Sequence, residues 1–323
     1  MKFSIILLLY NPPLENVLLT LQSITKQAFD NYEIIIADDG SKVDLSREIS
    51  HYFLKSGFSN FSFTAPKENV GTVRNILDGL EIARGKYVKA IGAGDLLFEE
   101  KTLERVYNFL EQNSYSGCFG LMQGYKIQGQ TVEAVPFRAP QDIQPYLKQR
   151  QKQILRNILV FGDWVSGASM FFEKEYLLQY LNNIAGTVLY CEDLLVAEMA
   201  ARGETVPLFD ETLIWYEVGD GISTDLSNTG FRKKLQDDHD QLWKYMETKY
   251  MDHPLLKRGT KWRMNGRASL AGKFLRILIE PGYLFFRLSQ FRQKAMSVHV
   301  KPGKGFLDTF DGTGIRGGNY AGD

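Results

Sequence analysis

The residues Ile34 to Ser41 read IIIADDGS, an apolar run that ends in two adjacent carboxylates, Asp38 and Asp39, then a glycine and a serine. Consecutive apolar residues before a turn suit a buried parallel strand, which sets the acid pair at the strand's carboxyl end, where open α/β sheets bind ligands. Carboxylates there accept hydrogen bonds from ribose hydroxyls and ring N–H groups, so a nucleoside is a suitable partner. The same residues also suit a solvated turn in which an aspartate caps the next helix. Other chemistry is missing. No GxxxxGK[ST] or GxGxxG phosphate motif is present, which disfavours kinases and dehydrogenases, and neither a zinc site nor a Ser-His-Asp arrangement suggests itself among four histidines.

The elements that must position such a site follow from periodicity. Ser4 to Leu9 is expected to be a strand, and Leu14, Val17, Leu18, Leu21 and Ile24 then recur at helical spacing before a second strand from Glu33 to Ala37. Asp44 to Ser56 reads as a helix and Phe61 to Thr64 as a short strand. Val73, Ile76, Leu77, Leu80 and Ala83 mark another helix, which Gly85 is expected to stop, and Tyr87 to Ile91 forms the next strand. This alternation predicts a mostly parallel sheet with helices on both faces. Beyond a helix at Thr102 to Gln112, a hairpin is expected over 117 to 137, a helix over 144 to 158, a strand from Ala168 to Phe172, and a helix from Asp193 to Arg202 ended by Gly203. Short strands near Pro207 and Ile214 follow. Phe231, Leu235, Leu242, Met246 and Tyr250 share one helical face.

At 323 residues, 44% of them hydrophobic, the chain can fill one large α/β domain with an appendage. The opening MKFSIILLLYNPP reads as a first strand rather than a secretion signal, because its apolar run is short and ends in Asn-Pro-Pro without a cleavage site. No apolar stretch approaches the ~18 residues that span a membrane. Two cysteines, Cys118 and Cys191, form no metal spacing, which suits a reducing cytoplasm. The zero net charge hides an asymmetry: residues 255 to 304 carry twelve Lys or Arg and one acid, Glu280, leaving +11 there and −11 elsewhere. The expected organisation is a catalytic domain over 1–228, a helical basic region over 229–300 and a glycine-rich tail over 301–323.

Taken together, SIILLLYN (4 to 11), NYEIIIADDGS (31 to 41), NVGTVRN (69 to 75), GKYVKAIGAGD (85 to 95) and YCEDLLVAEMAARG (190 to 203) resemble, in order and spacing, the family 2 glycosyltransferases of GT-A fold. The likeness covers about residues 1 to 225. It implies a Rossmann-like α/β sheet plus a helical C-terminal add-on, with Tyr10, Asp38 and Asp39 at the base and ribose of the donor and Arg74 at its diphosphate. An aromatic ring can stack on uracil, and a guanidinium can chelate two phosphate oxygens, although Arg74 can equally pair with Asp78 on its own helix. Where the family usually carries a DxD cluster, Gly92-Ala93-Gly94-Asp95 retains only the last acid. The resemblance therefore implies Asp95 as the ligand of Mn²⁺ or Mg²⁺, with Gly94 beside the donor and Glu217 or Asp220 as possible helpers. The family's base is the second acid of an ED pair, here Asp193 after Glu192, although an ED pair can also serve only to complement a helix dipole. Phe161 to Trp164 and Ser166 to Ala168 resemble the acceptor side, with Trp164 either stacking on a sugar or packing in the core.

These implications add up to a cytoplasmic, metal-assisted, inverting transfer of one hexose or N-acetylhexosamine from a UDP-sugar to a hydroxyl of a glycan, glycolipid or glycoprotein. The QxxRW motif of processive synthases is absent; Lys261-Trp262-Arg263 only echoes it. The eroded Gly92 to Asp95 cluster also suits a catalytically weak binding or partner subunit, while a nucleotidyltransferase lacks the early glycine- and lysine-rich loop it would need. The basic, aromatic-rich stretch 255–304 suits peripheral contact with an anionic membrane at the inner face of the cell membrane, or packing against the catalytic domain. Nucleic acid is disfavoured, because the −11 remainder repels it.

Overall fold

The structure, a computed structural model, describes residues 1–128, 131–218 and 229–257, with residues 278, 281, 282, 284–286 and 288. The elements in chain order are β1 (Phe3–Leu9), α1 (Leu14–Thr25), β2 (Tyr32–Asp38), α2 (Ser46–Ser56), β3 (Phe61–Thr64), α3 (Thr72–Ile82), β4 (Tyr87–Gly92) and β5 (Leu96–Leu97). They continue with α4 (Thr102–Asn113), β6 (Gly117–Gln128), β7 (Thr131–Val135), α5 (Gln144–Leu147), α6 (Gln151–Arg156), β8 (Met170–Glu173), α7 (Lys174–Ile184), α8 (Leu195–Ala201), β9 (Leu208–Glu217) and α9 (Thr229–Lys249).

The sheet runs β3-β2-β1-β4-β8-β6-β9-β5, with β7 paired to β6. Its first four strands are parallel and so is the β6–β9 pair, whereas β8 is antiparallel to both β4 and β6. Alternation along β1 divides the interior. Phe3, Ile5, Leu7 and Leu9 join the cluster formed with Val17 and Leu21 of α1, Phe53 of α2 and Leu103 and Val106 of α4. Ile6 faces the other way, into the cluster with Val73, Ile76 and Leu80 of α3, Leu181 of α7, Leu195 of α8 and Leu242 and Met246 of α9. The sheet is thus covered on both faces, and α9 belongs to the second cover.

The parallel strands with their helices form where periodicity predicts them, and later elements differ in identifiable ways. The helix expected over 144–158 is broken into α5 and α6 and runs on into a π-helical turn at Asn157–Phe161. At the break, Gln149 takes a positive φ and its amide exchanges hydrogen bonds with Val206, so a tertiary contact overrides helix propagation. A helix, α7, stands where none is expected, and β9 is one strand of ten residues rather than two short ones. The helix expected to open at Asp193 starts at Leu195, leaving Asp193 in the preceding turn. Most of 255–304, all of the tail 301–323 and Asp220 lie outside the described residues. Among the described residues no helix is long and apolar enough to cross a membrane.

Gly85 serves a different purpose from helix termination. The helix α3 has ended by Ile82, with Ala83 already extended, and Gly85 lies against β1: a Cβ on it would come 2.4 Å from both the Phe3 carbonyl carbon and the Ser4 nitrogen. Its N–H donates to the Ser4 hydroxyl at 2.8 Å, which in turn donates to buried Glu33 at 2.7 Å. A side chain would have to displace backbone in the central strand, so Gly85→Ala is expected to cost on the order of 2 kcal/mol. Urea unfolding checks this; a variant with the wild-type midpoint would contradict the packing.

Candidate active site

The carboxyl ends of β1, β2 and β4 open on one side of the sheet, and the chain leaving each strand is pinned there. After Leu9 the backbone turns at Asn11, which has a positive φ. Its N–H donates to the Ser41 hydroxyl at 2.8 Å and its side-chain oxygen accepts from the Lys42 N–H at 2.8 Å. Asp38 accepts from the Ser41 N–H at 2.9 Å and so closes the acid-bearing turn rather than capping a helix. Asp39, 4% exposed, reaches across to the loop before α3: it accepts from Val70 N–H at 2.6 Å, Gly71 N–H at 3.1 Å and the Asn69 amide at 2.8 Å. Burial pushes its carboxyl above the usual aspartate value, and the Val70 and Gly71 amides oppose that rise.

Two adjoining cavities fill the crevice at the carboxyl ends of β1 and β4. The first, about 330 Å³, is lined by Tyr10, Asp39, Asn16, Asn75, Asp95 and Glu217 among others. The second, about 300 Å³, takes in Ser166, Gly167, Ala168, Asp193 and His239. Asp95, Tyr190, Glu192, Tyr216 and Leu235 line both. Exposed Tyr10 and half-buried Tyr190 stand at the Asp39 end, where burial and then the charges of Asp39 and Tyr10 push the Tyr190 phenol upward.

Asp95 and Glu217 come together although they are far apart in sequence. The Glu217 N–H donates to the Asp95 carboxylate at 3.2 Å, and the Asn16 amide holds both Glu217 oxygens at 3.1 and 3.3 Å. Gly94, at φ +102, lies so close that a Cβ on it would meet the Glu217 carboxylate. Beneath them Lys89, fully buried on β4, donates to the Ala168 carbonyl at 2.7 Å. Burial drives its ammonium down to about 7, against the raising influence of Asp95 and Glu192. Burial, then the Asp193 charge, pushes the Glu192 carboxyl up, and Gly167 leaves room for it, since a Cβ there would lie 2.7 Å from Glu192 Oε1.

The residues expected from sequence are therefore only partly assembled. Tyr10, Asp39, Asp95, Glu192, Asp193 and Glu217 face the two cavities, and Gly94 adjoins them. Asp38 is turned into its own loop. Arg74 is half exposed and ion-paired with Asp78 at 2.6 Å and Glu81 at 3.0 Å; helical geometry puts Thr72 and Asn75, not Arg74, on the cavity face of α3. A diphosphate contact by Arg74 needs another rotamer. Trp164 packs edge-on to His239, with ring centroids 5.2 Å apart, and lies 5.9 Å from Trp243, one ring removed from the second cavity. Sequence reasoning missed Lys89, Asn16, Asn75, Tyr190 and Tyr216. Of these Asn75 carried the clearest signal, an amide at the end of NVGTVRN, and its buried side-chain oxygen has no hydrogen-bond partner among the described residues. Among the described residues no group of three or more His, Cys, Asp or Glu is arranged to hold a metal ion.

Asp95 provides a pH test. Burial raises its carboxyl from 3.8 to about 7, against the Glu217 N–H and Lys89, so its ionised form is the costly one in the folded protein. Stability from this group is full below the unfolded value and is lost as pH rises through the folded one. In metal-free buffer, the melting temperature of Asp95→Asn minus that of wild type is expected to grow from about pH 5 to about pH 8. A difference that does not change with pH would contradict this environment for Asp95.

Comparison with known proteins agrees with this arrangement. Residues 4–177, more than half of the chain, match the sequence profile of glycosyl transferase family 2. The chain is 28% identical over 134 residues to an uncharacterized glycosyltransferase of Rickettsia bellii, covering 42% of this chain and 19% of that protein. It is 30% identical over 134 residues to an uncharacterized glycosyltransferase of Haemophilus influenzae, covering 41% and 52%. It thus spans about half or less of the curated relatives it matches. Among solved structures, S. aureus TarS 1-349 in complex with UDP-GlcNAc superimposes with a TM-score of 0.51 at 18% identity, covering 88% of this chain and 80% of that one. The mannosyltransferase PcManGT of Pyrobaculum calidifontis, in complex with GDP-Man and Mn²⁺, gives 0.53 at 14% identity, covering 92% and 86%. At these identities the structural likeness shows the GT-A fold alone, whereas the profile match shows kinship: the chain belongs to glycosyl transferase family 2.

Proposed function

We infer that this protein transfers one hexose or N-acetylhexosamine from a UDP-sugar to a hydroxyl of a glycan acceptor, with inversion at the anomeric carbon. The observation that carries the reading is the pair of adjoining cavities. One has Tyr10 and Asp39 at its end, the other has Asp193, and Asp95 and Glu192 line both. A donor with its base between Tyr10 and Tyr190 would extend its diphosphate toward Asp95, and an acceptor in the second cavity would meet the sugar beside Asp193. The UDP-GlcNAc bound by TarS supports uridine as the base, and the GDP-Man bound by PcManGT names the competitor to test.

In this mechanism Asp193 takes the proton of the acceptor hydroxyl as its oxygen attacks the anomeric carbon. The bond from that carbon to the diphosphate oxygen breaks on the opposite side, and its electron pair leaves with UDP. The local chemistry fits a hard divalent cation, because two packed acids, one of them with a raised carboxyl, gain from a positive charge. Asp95 would hold it with Glu217 beside it, phosphate oxygens and water completing the shell, and it would neutralise the charge that develops on the leaving group. Lys89 is held beneath the floor near the same acids, and Asp95 and Glu192 favour its charged form against burial.

A hydrolysis and transfer screen of UDP-Glc, UDP-Gal, UDP-GlcNAc and GDP-Man, with Mn²⁺ and with EDTA, tests the reading. Turnover of a UDP-sugar that EDTA abolishes, and that Asp193→Asn lowers by about 10² or more while UDP still binds, is the expected result. UDP binding without turnover of any donor would favour the binding-subunit alternative, and turnover of GDP-Man alone would overturn the uridine assignment.

The C-terminal region bears on where the acceptor resides. Leu284, Phe285 and Leu288 are exposed apolar side chains within a stretch that carries a large positive charge. This combination supports peripheral contact with anionic lipid, each basic residue near the surface contributing about 1 kcal/mol. Sedimentation with phosphatidylserine vesicles is expected to be strong at low salt and lost at high salt. Protein that stays in the supernatant at low salt would rule the contact out.

A further inference from the structure

The helix α9 lies beyond the segment that matches the family profile, yet it reaches the site along one face. Leu235 lines both cavities, His239 lines the second, and Leu242 and Met246 are buried in the core. Between them Asp238, 6% exposed, turns its carboxylate onto the chain that leads to the acid pair. One oxygen accepts from the Leu189 N–H at 2.8 Å, and the other accepts from the Tyr190 N–H at 2.7 Å and the Cys191 N–H at 3.0 Å. Three successive peptide N–H groups converging on one carboxylate make an anion-binding nest whose occupant is a side chain from another element. The next two residues are Glu192 and Asp193.

The same segment is held from its other side. The Leu189 carbonyl accepts from the Val73 N–H at 2.9 Å in the first turn of α3, and it approaches Gly71 so closely that a Cβ there would lie 2.7 Å away. Gly71 is one of the residues whose N–H binds Asp39. Residues 189–191 are thereby gripped between α3, tied to the donor end of the crevice, and α9. Charge-assisted bonds of this kind are stronger than neutral ones, and a buried peptide N–H that loses its acceptor carries the full desolvation cost.

We propose that Asp238 is a positioning residue for the transfer: its carboxylate fixes the backbone of 189–191 and so sets where Glu192 and Asp193 stand in the crevice. The proposal rests on the reading that Asp193 is the base. A shift of about 1 Å in a reacting group can cost about 10² in rate, so loss of the clamp should be felt in turnover before it is felt in binding. Asp238→Asn keeps the shape but turns an NH2 toward N–H donors, which leaves at least one of them without an acceptor.

The test uses the full chain and follows Asp238→Asn and Asp238→Glu by hydrogen exchange, UDP titration and steady-state kinetics. In the Asn variant the amides of 189–191 should exchange faster while those of β1 and β4 keep their protection, and kcat should fall about tenfold or more with UDP affinity changed by less than about threefold. The Glu variant, which keeps the charge, should recover part of kcat. Loosened amides with wild-type kcat would overturn the positioning role, and unchanged exchange at 189–191 would overturn the clamp itself. If neither variant folds, rapid exchange of 189–191 in the wild type overturns it, and protection there supports it. If the wild type turns over no nucleotide sugar, the transferase reading fails instead, and the exchange comparison alone decides whether Asp238 holds the segment.

Discussion

The hydrogen bonds from the Val70 and Gly71 amides to Asp39 are the contacts on which the rest of the crevice depends. They tie the end of β2 to the start of α3, and α3 in turn supplies the Val73 amide that holds Leu189. From Leu189 the chain passes within four residues to Asp193. A carboxylate read from sequence as a ligand-binding group is thus also a structural tie, since much of its hydrogen-bonding capacity is already engaged by protein. Burying it is tolerable because peptide N–H groups replace the lost water.

The second constraint is charge. Asp95, Glu192, Asp193 and Glu217 crowd the same crevice, and removing carboxylates from water raises the energy of their ionised forms. Two devices offset this. Lys89 places a buried ammonium beneath them, bonded to the Ala168 carbonyl, while Asn16 and the Glu217 amide supply donors from above. The compensation is partial: burial still holds Asp95 near 7 and lifts Glu192. A site left short of positive charge in this way is suited to attract it with a substrate, since a cation arriving with a diphosphate neutralises both partners.

What the sequence made legible was whatever one element encodes by itself. The β1-α1-β2 unit, α3 and β4 carry their own periodicity, and the acid pair at the end of β2 is visible as a break in an apolar run, so Asp39 could be placed before any tertiary information, whereas Asp95 was placed by the family resemblance alone. Pairings between distant segments were not legible. Asn16 and Glu217 are 201 positions apart, and nothing in either local pattern announces the contact. Lys89 reads as one polar residue in a strand, and only the approach of the turn at Gly167–Ser169 makes it a buried group with a fixed partner. The break at Gln149 has the same origin, because it is decided by what the chain meets rather than by propensity. The helix α7 is a different failure: Leu177, Leu181 and Ile184 do recur at helical spacing, and that signal went unread.

The packing of α9 carries a consequence for inheritance. Family kinship is recognised over residues 4–177, but the crevice borrows Leu235, Asp238 and His239 from a helix that starts some fifty residues later. In proteins several times longer than this match, recombination can cut and rejoin chains at any exposed junction. A join made where the recognisable segment ends would carry the crevice away without one of its walls, together with an apolar face of sheet and α3 laid bare to water. The unit that can be passed intact from one gene to another is therefore larger than the unit that can be recognised, and it includes α9.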